Sequence, residues 1–282
     1  PRKAQVMVRD IHRVAVRAPH EAARAPASIS MLIPPTPPGS RPIHSAAAVG
    51  AGKPSFPESP VAVCAAGLRK MMESAAVSVT KKLSVVAGTQ RRHEPRYVET
   101  MKRIHDGAIG EIVSAQCYWN MGGLWVKPRE PGQSDVEWQL RNWLYFTWLS
   151  GDHIVEQHVH NIDVANWVMR GHPVRAVAMG GRQTRTDPLY GHGFDHFAVD
   201  FEYSDGRHIL SMCRQQDGTA SNVGEAFQGT IGRSNAYDTI EGRKAWKHAR
   251  LDGMNPYVEE HRNLVASIRA GKPLNEGRQV VE

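Results

Sequence analysis

The strictest pattern in the sequence lies in residues 195–215. In DHFAVDFEY the apolar residues from Phe197 to Tyr203 alternate with polar ones, which is the period of a half-buried β-strand. The turn residues SDG follow, and HILSMCRQ then reads as the second strand of an antiparallel hairpin. This pattern predicts an open, mainly antiparallel sheet in the second part of the chain.

The first part of the chain shows a different pattern, in which strands alternate with helices. MLI at residues 31–33 is typical of the end of a buried strand, and PPTPPG stops it because proline cannot continue a ladder. IHSAAAVGAG and Ala65 to Lys82 read as helices, and LSVVAG as a second buried strand. The alternation of strands and helices predicts an α/β fold, with a partial Rossmann-type parallel sheet over residues 31–92. Residues 93–282 are then expected to form an α+β domain.

The net charge of +7 needs to be located before it is interpreted. Residues 1–30, an unassigned leader, contain six Arg or Lys and only two Asp or Glu, so they supply more than half of that charge. The remainder is nearly balanced and has no basic stripe with interleaved aromatic residues, so we expect no nucleic-acid partner. No apolar run is long enough for a membrane helix, and the start has no apolar signal region, so we expect no membrane partner and favour the cytoplasm, with export left open.

The segment from Ser150 to Gly171 combines helical periodicity with ionisable side chains. SGDHIVEQHVHNIDVANWVMRG contains no internal Gly or Pro from residue 152 to residue 170, and Ser150 or Asp152 can cap it. On one continuous helix, His153, Glu156 and His160 share a stripe, so a carboxylate would lie one turn before a histidine and could orient it as an acid/base group. A polar helix face with structural hydrogen bonds explains the spacing equally well. A metal site is less favoured because no further ligand set is evident, and three widely separated cysteines indicate neither zinc nor a disulfide framework.

Several motifs resemble those of one family in order and spacing. The run from Ser150 resembles the substrate-domain helix of the Gfo/Idh/MocA oxidoreductases, where D-x-G-x-H-x-x-D-x-x-x-W lies beside the nicotinamide. TPPGSRPIHSAAAVGAGK resembles the loop and helix after the fourth Rossmann strand, FPESPVAV the E-K-P motif, and VVAGTQRRH the following strand and basic turn. The resemblance extends from about Met31 to the end and is closest to a bacterial subgroup with WLSGDHIVEQHVHNIDVANW.

The resemblance implies a role for each matched residue. The catalytic positions are His160, Glu156 and Ser59. The positions along an NAD or NADP cofactor are Thr36, Pro37, Pro38, His44, Glu58 and Pro60. The positions near the substrate are Arg91, Arg92 and Asp163, and none is a metal ligand.

The implied activity is hydride transfer between the nicotinamide and a carbon of a sugar or polyol, in a homo-oligomer formed through the sheet. Two departures from the family pattern stand out: Ser59 replaces the lysine of E-K-P, and residues 1–30 contain no GxGxxG. We expect an N-terminally incomplete family member that binds NAD(H) weakly or not at all. The alternatives are an NAD-dependent glycosidase that oxidises its sugar transiently, and a non-catalytic relative that has lost turnover.

Overall fold

The computed structural model describes residues 30–31, 41–249 and 254–282. Its first part is a small parallel sheet in which β1 (Ser30–Met31) pairs with β2 (Ser55–Phe56). Two helices pack beside this pair: α1 (Arg41–Gly50) and α2 (Ala65–Thr80). The predicted positions Thr36, Pro37 and Pro38 lie outside the described residues.

The segment predicted as a second buried strand is not a regular strand. In LSVVAG only Val85 is bridged, in parallel, to Ser55 on one side and Asn275 on the other. Val86 and Ala87 are nonetheless fully buried, so the apolar run marks burial correctly. The partners on both sides are too short to extend the ladder beyond one residue.

The second part is an eight-stranded sheet. Its strands are β3 (Ile112–Met121), β4 (Pro173–Gly181), β5 (His196–Tyr203), β6 (His208–Gln215), β7 (Asn222–Gly229), β8 (Gly232–Ser234), β9 (Thr239–Gly242) and β10 (Trp246–Lys247). Their order is β10-β9-β8-β7-β3-β6-β5-β4. All neighbours are antiparallel except β3 and β6, which are parallel. The predicted hairpin is β5–β6, and the mainly antiparallel open sheet is confirmed.

Helices cover one face of this sheet. They are α3 (Pro95–His105), α4 (Asp135–Arg141), α5 (Thr147–Ser150), α6 (His153–Glu156) and α7 (Val159–Met169). The core beneath them joins apolar residues of α3 and α7 to residues of β3, β6 and β7, such as Cys117, Ile209 and Phe227. None of the helices in the described residues combines the length and apolar character that crossing a membrane requires.

The segment from Asn120 to Gln139, which is rich in Gly, Pro and Trp, contains the start of a helix. Ser134 accepts a hydrogen bond from the backbone of Glu137, and the Glu137 carboxylate accepts one from the Ser134 backbone. This capping box starts α4 at Asp135 despite the Gly, Pro and Trp residues before it.

The last two helices return to the first sheet. They are α8 (Pro256–Arg269), capped by Asn255, and α9 (Gly277–Val281). Leu264 of α8 packs against Phe56 and Val86. The residues that α8 buries are Glu260 and Leu264.

Candidate functional site

The polar run from Ser150 forms two helices rather than one. Asp152, at φ 71°, caps α6 by accepting a hydrogen bond of 2.7 Å from the backbone N–H of His153. The chain leaves helical geometry at Gln157, and α7 starts at Val159. The prediction of one continuous helix is wrong.

The reason for the break lies in the packing of His158. This side chain is fully buried, and its Nε2 lies 2.7 Å from the Ser211 hydroxyl of β6, within hydrogen-bond distance. The contact between His158 and the sheet interrupts the helix at Gln157 and His158. The break separates Glu156 from His160, and no hydrogen bond or ion pair joins the two in the described part of the chain.

His160 lies at the start of α7 beside the basic turn. Arg91 Nη1 donates to the His160 carbonyl oxygen at 3.5 Å, and the His160 ring centre lies 6.2 Å from that of Trp119. Burial, followed by the neighbouring Arg91 guanidinium, lowers the pKa of His160 to about 3. The imidazole is therefore neutral at pH 7 and can accept a hydrogen bond, but a pKa this low makes it a weak base.

Arg91 itself is held by a buried carboxylate. Its Nη1 lies 2.5 Å from Glu225 Oε1, which also accepts a bond of 2.7 Å from Asn161 Nδ2. The Tyr97 hydroxyl donates to the other oxygen of Glu225 at 3.4 Å. The predicted substrate-binding Arg91 is therefore an internal ion-pair partner as well.

Arg92 and Asp163 are brought into direct contact. Arg92 Nε lies 2.8 and 3.0 Å from the two oxygens of Asp163, and the guanidinium lies 4.8 Å from the centre of the Trp167 ring. The sequence indicated both residues for substrate binding. The structure pairs them with each other.

The predicted E-K-P counterpart forms a turn against Gly88. The Ser59 hydroxyl donates to the Gly88 carbonyl at 3.2 Å, and the Ser59–Pro60 peptide is cis. Glycine is required at 88, because a Cβ there would come within 2.4 Å of Glu58 Oε2. His44, on α1, is exposed.

Ser59 faces a cavity of about 430 Å³. The opposite wall is formed by Val155, Val159 and Ile162 of α6 and α7, with Asp163 at one side. The turn that contains Ser59 therefore approaches the apolar side of the two helices. The family resemblance had grouped Ser59 with Glu156 and His160 as catalytic positions.

Glu156 lies in a second polar cluster that includes Arg185 and Gln215. Burial, followed by the neighbouring Asp152 carboxylate, raises the pKa of Glu156 to about 8. Arg185 is 6% exposed and donates from Nη1 to Gln215 Oε1 at 2.5 Å. Nothing in the sequence distinguishes Arg185 from Arg182 in the loop after β4.

A larger cavity of about 540 Å³ opens beside Arg91. Four tyrosines line it together with polar side chains: Tyr97, Tyr118, Tyr237 and Tyr257, with Gln90, Asn222 and Asn235 among the polar ones. Aromatic walls with a few placed polar groups are typical of small-molecule sites. Sequence reasoning missed the tyrosines, because they come from four separate elements.

No group of three or more His, Cys, Asp or Glu side chains in residues 30–31, 41–249 and 254–282 is arranged to hold a metal ion. The stripe of His153, Glu156 and His160 weighed for metal binding is divided by the helix break.

A protein-family model matches the part of the chain that contains most of these elements. Residues 97–227, from α3 to β7, match the model of the GFO/IDH/MocA C-terminal domain. No curated protein sequence matches the chain.

Solved structures share the whole arrangement at low identity. Aldose-aldose oxidoreductase from Caulobacter crescentus, complexed with glycerol, is 17% identical with a TM-score of 0.68, over 90% of this chain and 73% of that one. Levoglucosan dehydrogenase, complexed with NADH and levoglucosan, is 16% identical with a TM-score of 0.69, over 90% and 75%. Myo-inositol 2-dehydrogenase from Lactobacillus plantarum is 18% identical with a TM-score of 0.65, over 90% and 75%. These likenesses establish the fold.

Proposed function

Because residues 97–227 match the GFO/IDH/MocA C-terminal domain, we propose that the chain is an NAD(P)-dependent oxidoreductase acting on a sugar or polyol. The observation that carries this proposal is the placement of a neutral histidine, His160, against the basic turn at the end of the parallel segment. In open α/β sheets, ligands bind outside the carboxyl ends of the parallel strands. The solved relatives include complexes with NADH, levoglucosan and glycerol.

The described residues fit the nicotinamide end of such a cofactor. Thr89 and Gln90 follow the parallel segment directly, and both are buried. Thr89 Oγ1 and Gln90 Oε1 have no hydrogen-bond partner among the described residues. Buried polar atoms are normally paired, so two orphans at this edge support a polar ligand there. Ser59 and Thr89 line the same cavity.

We propose the following division of labour. The nicotinamide, when bound, supplies the hydride acceptor. His160 accepts a hydrogen bond from the sugar hydroxyl through its neutral imidazole and takes up the hydroxyl proton as the hydride leaves the neighbouring carbon, and Trp119 limits water at its ring. Ser59, whose hydrogen is committed to the Gly88 carbonyl, offers only lone pairs to the substrate. Gln90 and Tyr257 both line the larger cavity, where Gln90 Nε2 donates to the Tyr257 hydroxyl at 3.4 Å, and they hold the remaining hydroxyls.

The proposal includes two domains, with residues 31–92 as the cofactor half and residues 93–282 as the substrate half. The helices α8 and α9 then return to complete the first half. We also propose a homo-oligomer through the open face of the sheet, where the apolar side chains of Val177 and Met179 are 59% and 77% exposed. Light scattering at tens of micromolar tests this, and Met179→Asp should shift the assembly toward monomer.

The catalytic test replaces Ser59 with the lysine of the E-K-P motif. In a version with a GxGxxG strand restored, Ser59→Lys should raise the rate of NAD(P)H formation from a sugar panel, because a lysine can lower the pKa of the reacting hydroxyl. His160→Ala should abolish the gain, since placed proton transfer contributes about 10²–10⁴ in rate. The double variant should be strongly non-additive.

The controls separate the alternatives. Exposed His208→Ala should leave the rate unchanged. Release of free sugar from a glycoside without a persistent keto-sugar would indicate the glycosidase. If neither Ser59→Lys nor His160→Ala changes cofactor reduction, the pair is structural and the oxidoreductase proposal is wrong.

A further inference from the structure

A buried arginine lies beside Glu156 without a counter-ion. The Arg185 guanidinium carbon is 5.0 Å from the centre of the Tyr145 ring and 5.8 Å from that of Tyr190. Among the described residues, no carboxylate forms an ion pair with it, and its Nη2 has no hydrogen-bond partner. A buried charge is costly unless it is paired. This arrangement therefore calls for an anion.

The position of Arg185 is fixed from several sides. Its backbone N–H donates to Asp195 Oδ2 at 3.0 Å, and its carbonyl accepts bonds of 2.8 and 2.6 Å from Arg182. Nη1 donates to Gln215 Oε1 at 2.5 Å. With the backbone and one guanidinium nitrogen held, the free nitrogen is already oriented before a ligand arrives.

None of the neighbouring carboxyl groups hydrogen-bonds the free nitrogen of Arg185. The Asp195 carboxylate accepts from backbone N–H groups of residues 183–185 and contacts His196. The charge of Asp152 interacts with Arg185 at a distance, but its oxygens accept from the backbone N–H groups of His153 and Phe194. The raised pKa of Glu156, about 8, keeps its carboxyl protonated at neutral pH, so it donates a hydrogen bond rather than neutralising a cation.

The unpaired buried atoms around Arg185 are rich in donors. Glu156 Oε1 and both ring nitrogens of His153 lack partners, as Arg185 Nη2 does. A neutral imidazole offers one N–H. An acceptor-rich group with negative charge satisfies this set, whereas a neutral hydroxyl leaves the guanidinium uncompensated.

We propose that Arg185 binds a carboxylate of the substrate, so that the substrate is a sugar acid, such as a uronate or an aldonate, rather than a neutral sugar. This assignment rests on the proposed function and names its substrate class. Hydrogen bonds between a guanidinium and a carboxylate are charge-assisted and about twice as strong as neutral ones. The acid would be anchored at Arg185 by its carboxylate.

Calorimetry on the full chain, without cofactor, tests the assignment with matched pairs: D-glucuronate against D-glucose and D-galacturonate against D-galactose. The acids should bind at least about tenfold more tightly, the ratio expected for one hydrogen bond to a charged group. Arg185→Met should remove the difference, and Arg185→Lys should keep part of it. The control Arg175→Met, at an arginine whose side chain is 69% exposed, should leave it intact.

Equal binding of acid and neutral sugar, or a preference that survives Arg185→Met, would overturn the assignment. If Arg185→Met fails to fold by circular dichroism, the wild-type preference and Arg185→Lys decide. Cofactor reduction separates this assignment from the proposed function. Arg185-dependent binding of acids with no NAD(P)H formed from any sugar leaves the carboxylate site standing without the oxidoreductase. Oxidation of neutral sugars with a KM unchanged in Arg185→Met leaves the oxidoreductase standing without the carboxylate site.

Discussion

Two buried arginines lie near glutamates under the same sheet, and they differ in how far their charge is satisfied. Arg91 meets Glu225 at 2.5 Å, and the side-chain exposures of the two are only 12% and 1%. Asn161 and Tyr97 complete the hydrogen bonds of that carboxylate. Arg185 has no such partner, although Glu156 is its close neighbour.

The difference separates two uses of a buried charge. A network whose charged members are paired with each other holds elements together, here the basic turn, α7 and β7. A network whose buried cation has no directly bonded carboxylate pays in stability for a capacity to bind. Mutations in the Arg91 network should therefore reduce stability more than mutations at Arg185. Three measurements test this difference.

The largest expected effect is at Glu225. Glu225→Ala leaves Arg91 buried without its carboxylate, and breaking a buried ion pair from one side costs about 3–5 kcal/mol in the free energy of unfolding. Urea denaturation measures this. The control is Glu241→Ala, in the exposed pair with Arg233, where a loss of about 1 kcal/mol or less is expected. Equal losses in the two variants would show that the Arg91 network is not structural.

The next effect is a dependence on pH at Glu156. Its pKa is raised in the folded state from 4.5 to about 8, so the folded chain holds this proton longer than the unfolded chain. The contribution of Glu156 is therefore complete below pH 4.5 and is lost as the pH rises to 8. Wild type should lose up to about 1.4 kcal/mol per pH unit relative to Glu156→Gln across this window. Parallel stability curves, with Glu241→Gln as the reference, would contradict the assignment.

The smallest effect is expected at Arg185. Arg185→Met loses a bond to Gln215 but also removes a buried charge that lacks a counter-ion, and these changes oppose each other. The free energy of unfolding should stay within about 1 kcal/mol of wild type in the urea experiment. Arg91→Met should lose clearly more. A loss at Arg185 as large as that at Arg91 would remove the distinction between the two sites.

The sheet was readable from the sequence because its signals are local. Alternation from Phe197 to Tyr203 and the SDG turn specify a hairpin without reference to the rest of the chain. Asn255 before α8 and Gly271, at φ 62°, after it mark that helix in the same way. The family motifs added the expected order of the two halves, and residues 97–227 match the GFO/IDH/MocA C-terminal domain.

The site was less readable because its contacts are distant in sequence. The break before Val159 depends on His158 reaching Ser211, and no Gly or Pro announces it. Arg92 and Asp163 were each assigned to the substrate, but only the folded chain shows them neutralising each other. The roles of Glu156 and His160 remain proposals.

The central position of β3 has a consequence for how the chain reaches its fold. Gln116 of β3 pairs with Leu210 on one side and with Ala226 on the other, so both neighbours come from far along the chain. The hairpin β5–β6 closes over a short turn, whereas the middle of the sheet must wait for a long loop to close. During synthesis β3 is the first strand of this sheet to be made, and it lacks β6 until residue 215 and β7 until residue 229 has been added. Its future core residues, Ala115 and Cys117, are exposed throughout that interval, so aggregation should be governed by this strand rather than by the sheet's outer edges.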